Sequence, residues 1–531
     1  MQKKASTTSD SVLNPFVRKH PADVTGVLRG FDRLRFAGTL RPLDHPPVME
    51  KYIAKAGFLM KDFQQLVRQV TGRIKAATQA LATRAGRPVI YLSSSQVRKE
   101  QVARQIAEKD GVTSGLIAVL SCVEPCRTYT VGGNRQTKLR EAQLGLGKCL
   151  HYDFYHLHPV FGFLHLRLQT WFPFLVNVCV NGREWLARQM TRWGLRFQQQ
   201  DNGFTWIEDV PRAQRLLDEQ LQTSWAVELE KLVRENHPTH RSICHPLALS
   251  YYWTAGETEY ATDLMCARPQ RLAQLYPRLV HHGIQSFGSR DVRRFLGYKP
   301  PGQGVGKFGG ELNSSLKQRP EGLRIKHFVN RNSIKLYDKH GAVLRVETTI
   351  NQPEEFTVWR AQENDPEQKH DWRELRRAVA DLPRRAQVSH AANERYLTAL
   401  AVVDETNPLG REAQGICQAV RKDGRRYRGL NPWSENDARM LEAVNRGEYA
   451  INGFRNRDLR ARLFGSRGSD HDQKRRAGAI TRKLRLLRAH GLIRKVSGTH
   501  RYLVTEKGRR IITALLTARQ ADIQKLTALA A

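Results

Sequence analysis

The chain is 531 residues long and carries 87 Lys and Arg against 51 Asp and Glu, a formal charge of +36. Its 40% of hydrophobic residues is enough for real cores, so the excess cation must face solvent or a polyanion, and phosphate backbones are the natural partner for a field of that sign. This balance argues against a disordered acidic tail, a secreted mini-protein and an ordinary metabolic enzyme, and the length suggests about three or four domains.

Cys122, Cys126, Cys149, Cys179, Cys244, Cys266 and Cys417 are odd in number and scattered, which is no disulfide framework. No apolar run reaches the ~18 residues of a membrane span. The polar start of the chain lacks a signal-peptide core, so the expected location is a reducing cytoplasm, in association with the nucleoid.

Residues 1–20 read as a flexible basic and polar arm. From Gly26 the sequence GVLRGFDRLRFAGTLR alternates like a strand or hairpin. The span 49–84 reads as helix, with Phe58, Leu59, Phe63, Leu66, Val67, Val70, Ile74 and Ala77 three or four residues apart. A strand at Gly86–Ser94, a helix at 96–109 and the apolar run from Gly115 form a βαβ pattern.

The stretch 151–206 is rich in aromatics and arginines, with helices expected at 181–199 and 211–236. PPGQGVGKFGG over 300–310 is a Gly/Pro linker without the Gly-Lys-Ser/Thr ending of a phosphate-binding loop. After it come the strand candidates GLRIKHFV, SIKLYDK, AVLRVETTI and FTVWR, then helix over 371–400.

The expected fold class is a multidomain α/β or α+β body with a C-terminal winged helix (helix-turn-helix). Its parts are a 21–300 body, a 311–400 β-meander with helices, a 401–433 basic linker and the winged-helix domain at 434–531. Ser434 caps a helix carrying Met440, Leu441 and Val444. A short helix capped by Asn456 follows, then a basic helix at about 473–490 that ends at Gly491. Two short strands turning at Ser497-Gly498 precede a last helix opened at Thr505.

At 100° per residue, Ala477, Ile480, Leu484 and Leu487 share one face of the basic helix, and Lys474, Arg475, Gly478, Arg482 and Arg485 share the other. Arg476, Lys483 and Arg488 accompany them, and Lys495, His500 and Arg501 lie in the wing. Nine basic residues and no acidic one lie between 474 and 495. An arginine face of this kind suits the major groove, where Arg takes guanine edges and Lys neutralises phosphates. The run LRAHGLIRKVSGTHRYLVTEKGRRI resembles MarR-type winged-helix DNA-binding domains, a likeness that implies DNA contact and leaves the task open. Ile511, Leu515, Ala518 and Ile523 on the last helix suggest a homodimer contact.

Asn332-Ser-Ile-Lys-Leu-Tyr-Asp-Lys339 followed by Leu344-Arg-Val-Glu347 resembles a segment of rolling-circle replication initiators. That resemblance implies Asp338 and Glu347 as ligands of a divalent metal (Mg or Mn), Lys339 as a phosphate contact and an attacking tyrosine, for which Tyr298 and Tyr337 are the substitutes this chain offers. Where the family places its tyrosine, this chain has His327-Phe328. Cross-strand ion pairing on a solvated sheet face is the plainer reading of these residues, and the sequence favours it.

His156 and His158, two apart on a strand, could meet one metal, or they could be packed core histidines. Cys122 and Cys126, with Cys149 and His151 downstream, are half of a zinc site by spacing, and no second close pair completes it. Trp171, Trp185, Trp193 and Trp206, interleaved with Arg183, Arg188, Arg192 and Arg196, suggest a single-strand surface, with Arg188, Arg192 and Arg196 in a row on one helix face, or simply a core with arginine edges. HPVFGF, QTWFPF and NGREWLAR resemble large uncharacterised bacterial proteins, and no activity comes with that likeness.

Three functions are thus carried forward. The first is a nucleic-acid-binding protein that grips duplex DNA through the C-terminal winged helix, in a mobile element or a regulatory system. The second is a metal-dependent nicking enzyme of the rolling-circle type. The third is an RNA-binding component of a ribonucleoprotein.

Overall fold

The computed structural model describes residues 14–134, 136, 139–237, 239–298, 312–319, 322–361, 370–403, 409–446, 449, 453–465 and 469–521. The strands of its body are β1 (Val24–Thr39), β2 (Val89–Tyr91), β3 (Gly115–Gly133), β4 (Arg140–His158), β5 (Gly162–Gln169), β6 (Val176–Asn181), β7 (Phe197–Gln199), β8 (Phe204–Ile207), β9 (Tyr252–Cys266), β10 (Leu312–Arg319), β11 (Gly322–Val329), β12 (Asn332–Lys339) and β13 (Val343–Ile350). The helices of the body are α1 (Pro15–Lys19), α2 (Pro46–Lys55), α3 (Phe63–Arg84), α4 (Lys99–Lys109), α5 (Gly182–Arg192), α6 (Val210–Glu219), α7 (Trp225–Asn236), α8 (His240–Cys244), α9 (Pro269–Gln285), α10 (Ser289–Leu296) and α11 (Leu382–Leu400).

Eleven strands form one mixed sheet in the order β10-β11-β12-β13-β9-β1-β6-β5-β4-β3-β2. Every neighbouring pair is antiparallel except β2 and β3 at one edge. These two are parallel and joined through α4, as the βαβ pattern predicts. The fold is therefore mixed α/β. β13 pairs with β9, so β10 to β13 continue the sheet of β1 to β6 and β9 and do not start a separate one. The Gly/Pro stretch at 300–310 lies outside the described residues.

All eight residues of β13 are buried, so both faces of this strand are covered. Leu344, Val346 and Ile350 enter an apolar core with Leu279 of α9, Phe295 of α10 and Tyr396 and Leu397 of α11. A second core lies around β1, β4, β5 and β6, where Leu34, Phe36, Phe154, Leu166 and Val178 meet Trp185 and Trp225.

Several sequence expectations are corrected. The 14–20 end of the arm is pinned: α1 buries Phe16, Asn14 Nδ2 donates to Glu394 Oε2 at 2.6 Å, and Lys19 Nζ donates to the Val403 carbonyl at 2.6 Å. The 49–84 helix is two helices, broken after Lys55, and Phe58 and Leu59 lie between them. FTVWR leaves the large sheet and forms a separate hairpin, β14 (Thr357–Ala361) with β15 (His370–Glu374).

The expected 401–433 linker is structured over its described residues, 401–403 and 409–433. It contains α12 (Leu409–Cys417) and the hairpin β16 (Val420–Lys422) and β17 (Arg425–Tyr427), and Ile416 and Leu430 join the C-terminal core. The remaining elements are α13 (Glu435–Val444), α14 (Asn456–Phe464), α15 (Asp470–Ala489), β18 (Ile493–Lys495), β19 (Tyr502–Val504) and α16 (Glu506–Gln520). Leu441, Val444, Leu459, Ile480, Leu484, Leu487, Leu492 and Ile512 close their shared core.

Ser434 and Thr505 cap their helices through their hydroxyls. Asn456 does not cap α14. It is the helix's first residue, and its side chain reaches across to the Ala477 carbonyl and the Thr481 hydroxyl of α15, both at 2.9 Å. Ile511 and Leu515 are buried inside this unit, so the apolar face proposed for dimerisation is already covered, and Ile523 lies outside the described residues. Among the described residues no helix is long and apolar enough to cross a membrane.

Candidate functional site

Ions at period two on β12 and β13, with a matching set on β9, all point to the sheet face opposite α11. Register makes Lys335 and Glu347 direct cross-strand partners, and likewise Arg345 and Asp263. Lys335 Nζ donates to Glu347 Oε1 at 2.5 Å and to Glu259 Oε1 at 2.7 Å. Tyr337 Oη donates to Glu347 Oε2 at 2.8 Å. Arg345 holds Asp263 through two nitrogens, at 2.5 and 2.8 Å, and reaches Asp32 Oδ1 at 3.2 Å.

Two irregularities in the chain complete the cluster. A break in register between Phe31 and Arg33 of β1 accompanies the entry of Asp32. At Gly182 a side chain would meet the Phe31 carbonyl at 1.8 Å, so only glycine lets the start of α5 sit directly on β1. The next residue, Arg183, then donates to Asp263 Oδ2 at 3.1 Å from deep inside the protein.

Arg345 is 0% and Glu347 2% exposed, so these charges are stabilised by one another and not by water. Burial alone would raise the Glu347 carboxyl; Lys335, with help from Arg345, outweighs it and holds it below the ordinary range. Glu259 goes the other way, raised by burial and by the Glu347 charge. Tyr337 is pushed well up by burial and by Glu347, which fixes it as a protonated donor. Lys339 is lowered by burial and Arg345 and reaches Asp201 at 3.3 Å.

Of the residues implied by the rolling-circle resemblance, Tyr337, Lys339 and Glu347 face this cluster. Asp338 does not. Its carboxylate lies on the opposite face and accepts from the Gly341 amide at 2.9 Å, so it cannot share a metal with Glu347. The acid that does approach Glu347 comes from other strands: Asp32, Glu259 and Glu347 place carboxylate oxygens within 4.8 Å of one another. Such oxygens suit Mg²⁺ or Mn²⁺, yet the Lys335 ammonium already bridges two of the three carboxylates. A metal would fit only with that lysine displaced. Sequence reasoning misses Asp32, Glu259, Asp263 and Lys335, although the complementary signs on β9 and β12 are a usable signal, and it reads as a surface cation Arg183, which is buried against Asp263.

His156 and His158 do not converge on one metal. His156 Nε2 bonds the Asn236 side chain at 2.6 Å, while His158 Nδ1 accepts the Val160 and Phe161 amides at 3.1 and 3.2 Å. Burial lowers His156 to about 4. Trp185 is core. α5 ends at Arg192, so Arg188, Arg192 and Arg196 do not form one helical row, and Arg196 is paired with Glu208 at 2.7 Å.

In the C-terminal unit, Ile480, Leu484 and Leu487 are buried while Lys474, Arg475, Arg482 and Arg485 are exposed. Arg475 meets Asp472 of its own helix at 3.1 Å. Lys495 and His500 are also exposed. Other candidates turn toward protein: Lys483 Nζ donates to Asn436, Arg476 to the Phe464 carbonyl, and the Arg501 guanidinium lies 4.6 Å over the Trp359 ring of β14. Arg488 is half-buried.

Comparison of the chain with protein-family models, with curated proteins and with solved structures finds no match.

Proposed function

We propose that this protein binds nucleic acid, and duplex DNA in particular, through its C-terminal unit, read as a winged helix with α15 as the groove helix and β18–β19 as the wing. The observation that carries this reading is the split of α15 into a buried aliphatic edge and an outward edge of Lys474, Arg475, Arg482 and Arg485. Guanidinium groups held out by a packed helix are positioned to take base edges, and lysines beside them to take phosphates. The excess of 36 positive charges supplies long-range attraction to a polyanion.

Fluorescence anisotropy on a mixed-sequence duplex tests the reading. Arg482→Ala and Arg485→Ala are each expected to weaken binding by ~1–3 kcal/mol, with Arg196→Ala as an unaffected control. Unchanged affinity in the first two removes the reading. Sequencing nucleic acid that co-purifies with the chain separates DNA from RNA as the partner.

The approach of Asp32, Glu259 and Glu347 supports a second reading, metal-dependent strand nicking with Mg²⁺ or Mn²⁺ taking the place of the Lys335 ammonium. Supercoiled plasmid incubated with Mn²⁺ tests it. Nicking that is lost in Glu347→Gln favours this reading, and intact plasmid with both proteins ends it.

A further inference from the structure

Cysteine side chains that lie apart in sequence meet on the long β3–β4 hairpin, on the far side of the sheet from the ionic cluster's strands. Antiparallel register places Glu124 opposite Cys149 and Cys126 opposite Gly147, so Cys126 and Cys149 are diagonal neighbours. Their sulfurs are 3.3 Å apart. His151, two residues beyond Cys149 on β4, brings its Nδ1 to 4.0 Å from the Cys149 sulfur.

The three donor atoms all lie within 4.8 Å of one another. Gly147 keeps this side of the hairpin open, since a side chain there would run into Thr128 at 2.7 Å. Cys122, four residues before Cys126 and opposite His151 in the register, is buried with its sulfur turned to the Val123 carbonyl at 3.6 Å, and it is not among the converging donors.

We propose that Cys126, Cys149 and His151 bind a single Zn²⁺ ion, the fourth position being left to solvent. Two thiolates and an imidazole are the donor set that borderline-soft Zn²⁺ prefers, and tetrahedral binding requires the sulfurs to part from 3.3 Å to ~3.8 Å and the ring nitrogen to close in from 4.0 Å. On binding, each thiol releases its proton to solvent and each sulfur donates an electron pair to the metal, so no oxidant or reductant is required. Cys126 is half-exposed, which gives the ion an entry path and a place for water.

His151 Nδ1 also lies 3.2 Å from the Cys149 carbonyl, so ligation through this nitrogen exchanges that hydrogen bond for the metal. The bond adds a cross-link to two strands that already pair along their whole length.

The test uses the full chain, purified under reducing conditions and reconstituted with Zn²⁺ or Co²⁺. One zinc per chain is expected by elemental analysis, with retention in Cys122→Ser and loss in the Cys126→Ser/Cys149→Ser double variant. The cobalt form is expected to show thiolate-to-metal charge transfer and intense tetrahedral d–d bands, which a surface-bound ion does not give. Zinc at the same level in the parent and the double variant, or cobalt without those bands, overturns the proposal. So does a Cys126–Cys149 disulfide that persists under reduction and excludes the metal. Should the double variant not fold, the cobalt spectrum of the parent and zinc loss in His151→Ala decide the matter.

Discussion

The cations beneath the sheet and the cations on α15 are the same residue types in opposite circumstances. Arg183, Lys335 and Arg345 are buried and matched by Asp32, Asp263, Glu259 and Glu347 at hydrogen-bond range. Lys474, Arg482 and Arg485 are exposed, and none forms an ion pair among the described residues. The difference separates charge that specifies a fold from charge available to a partner. A buried pair has replaced water with a protein counter-ion, so losing one member leaves the other stranded. An exposed, unmatched cation carries its attraction outward.

The largest effect is expected in the buried set. Arg345→Met strands Asp263 and Asp32 and should cost ~3–5 kcal/mol of folding stability, measured by urea denaturation. Arg482→Met should change stability by less than ~0.5 kcal/mol. Equal effects of the two would erase the contrast.

Next in size is acid. Burial lowers His151, His156 and His327 to about 4, so the fold holds the neutral ring in each. A depressed histidine contributes stability that is complete above its unfolded value near pH 6.5 and is lost as pH falls toward 4. Each tenfold loss of proton affinity on folding corresponds to ~1.4 kcal/mol. Urea midpoints should therefore fall between pH 7 and 4, and His327→Gln should flatten the decline; a slope equal to that of the parent would remove His327 from the cause.

The exposed set is sharpened by salt. Lys474→Ala is expected to lower the slope of log affinity for duplex against log salt by ~1 without changing sequence preference, whereas Lys339→Ala, buried beside Asp201, should leave that slope alone. The smallest effect is at a helix end. Ser434→Ala removes the acceptor of the Asp437 amide and should cost ~1 kcal/mol, read from the unfolding midpoint with binding to duplex retained.

Elements with strong periodicity are legible in the sequence. GLRIKHFV is β11 residue for residue, β12 and β13 fall within one residue of expectation, and α15 has the expected side inward. Pairing across long separations is not legible. Nothing local states that β13 joins β9, because register between distant strands is set by packing that only the folded sheet supplies. Asp338 stands out by its place in a motif, yet period-two alternation puts it on the face opposite Tyr337 and Lys339. Cys126, Cys149 and His151 are visible as a spacing, and only the hairpin register brings them together. Basic composition hides α12 and the β16–β17 hairpin, whose few apolar anchors, Ile416 and Leu430, do not make a long pattern.

Amine footprinting of every lysine, with and without duplex DNA, probes the contrast in one experiment. The account predicts that Lys474 and Lys495 react readily in the free protein and become shielded by duplex, while Lys335 and Lys339 stay unreactive in both conditions. Lys474 reacting equally with and without duplex, or Lys335 labelling as fast as Lys474, would contradict it.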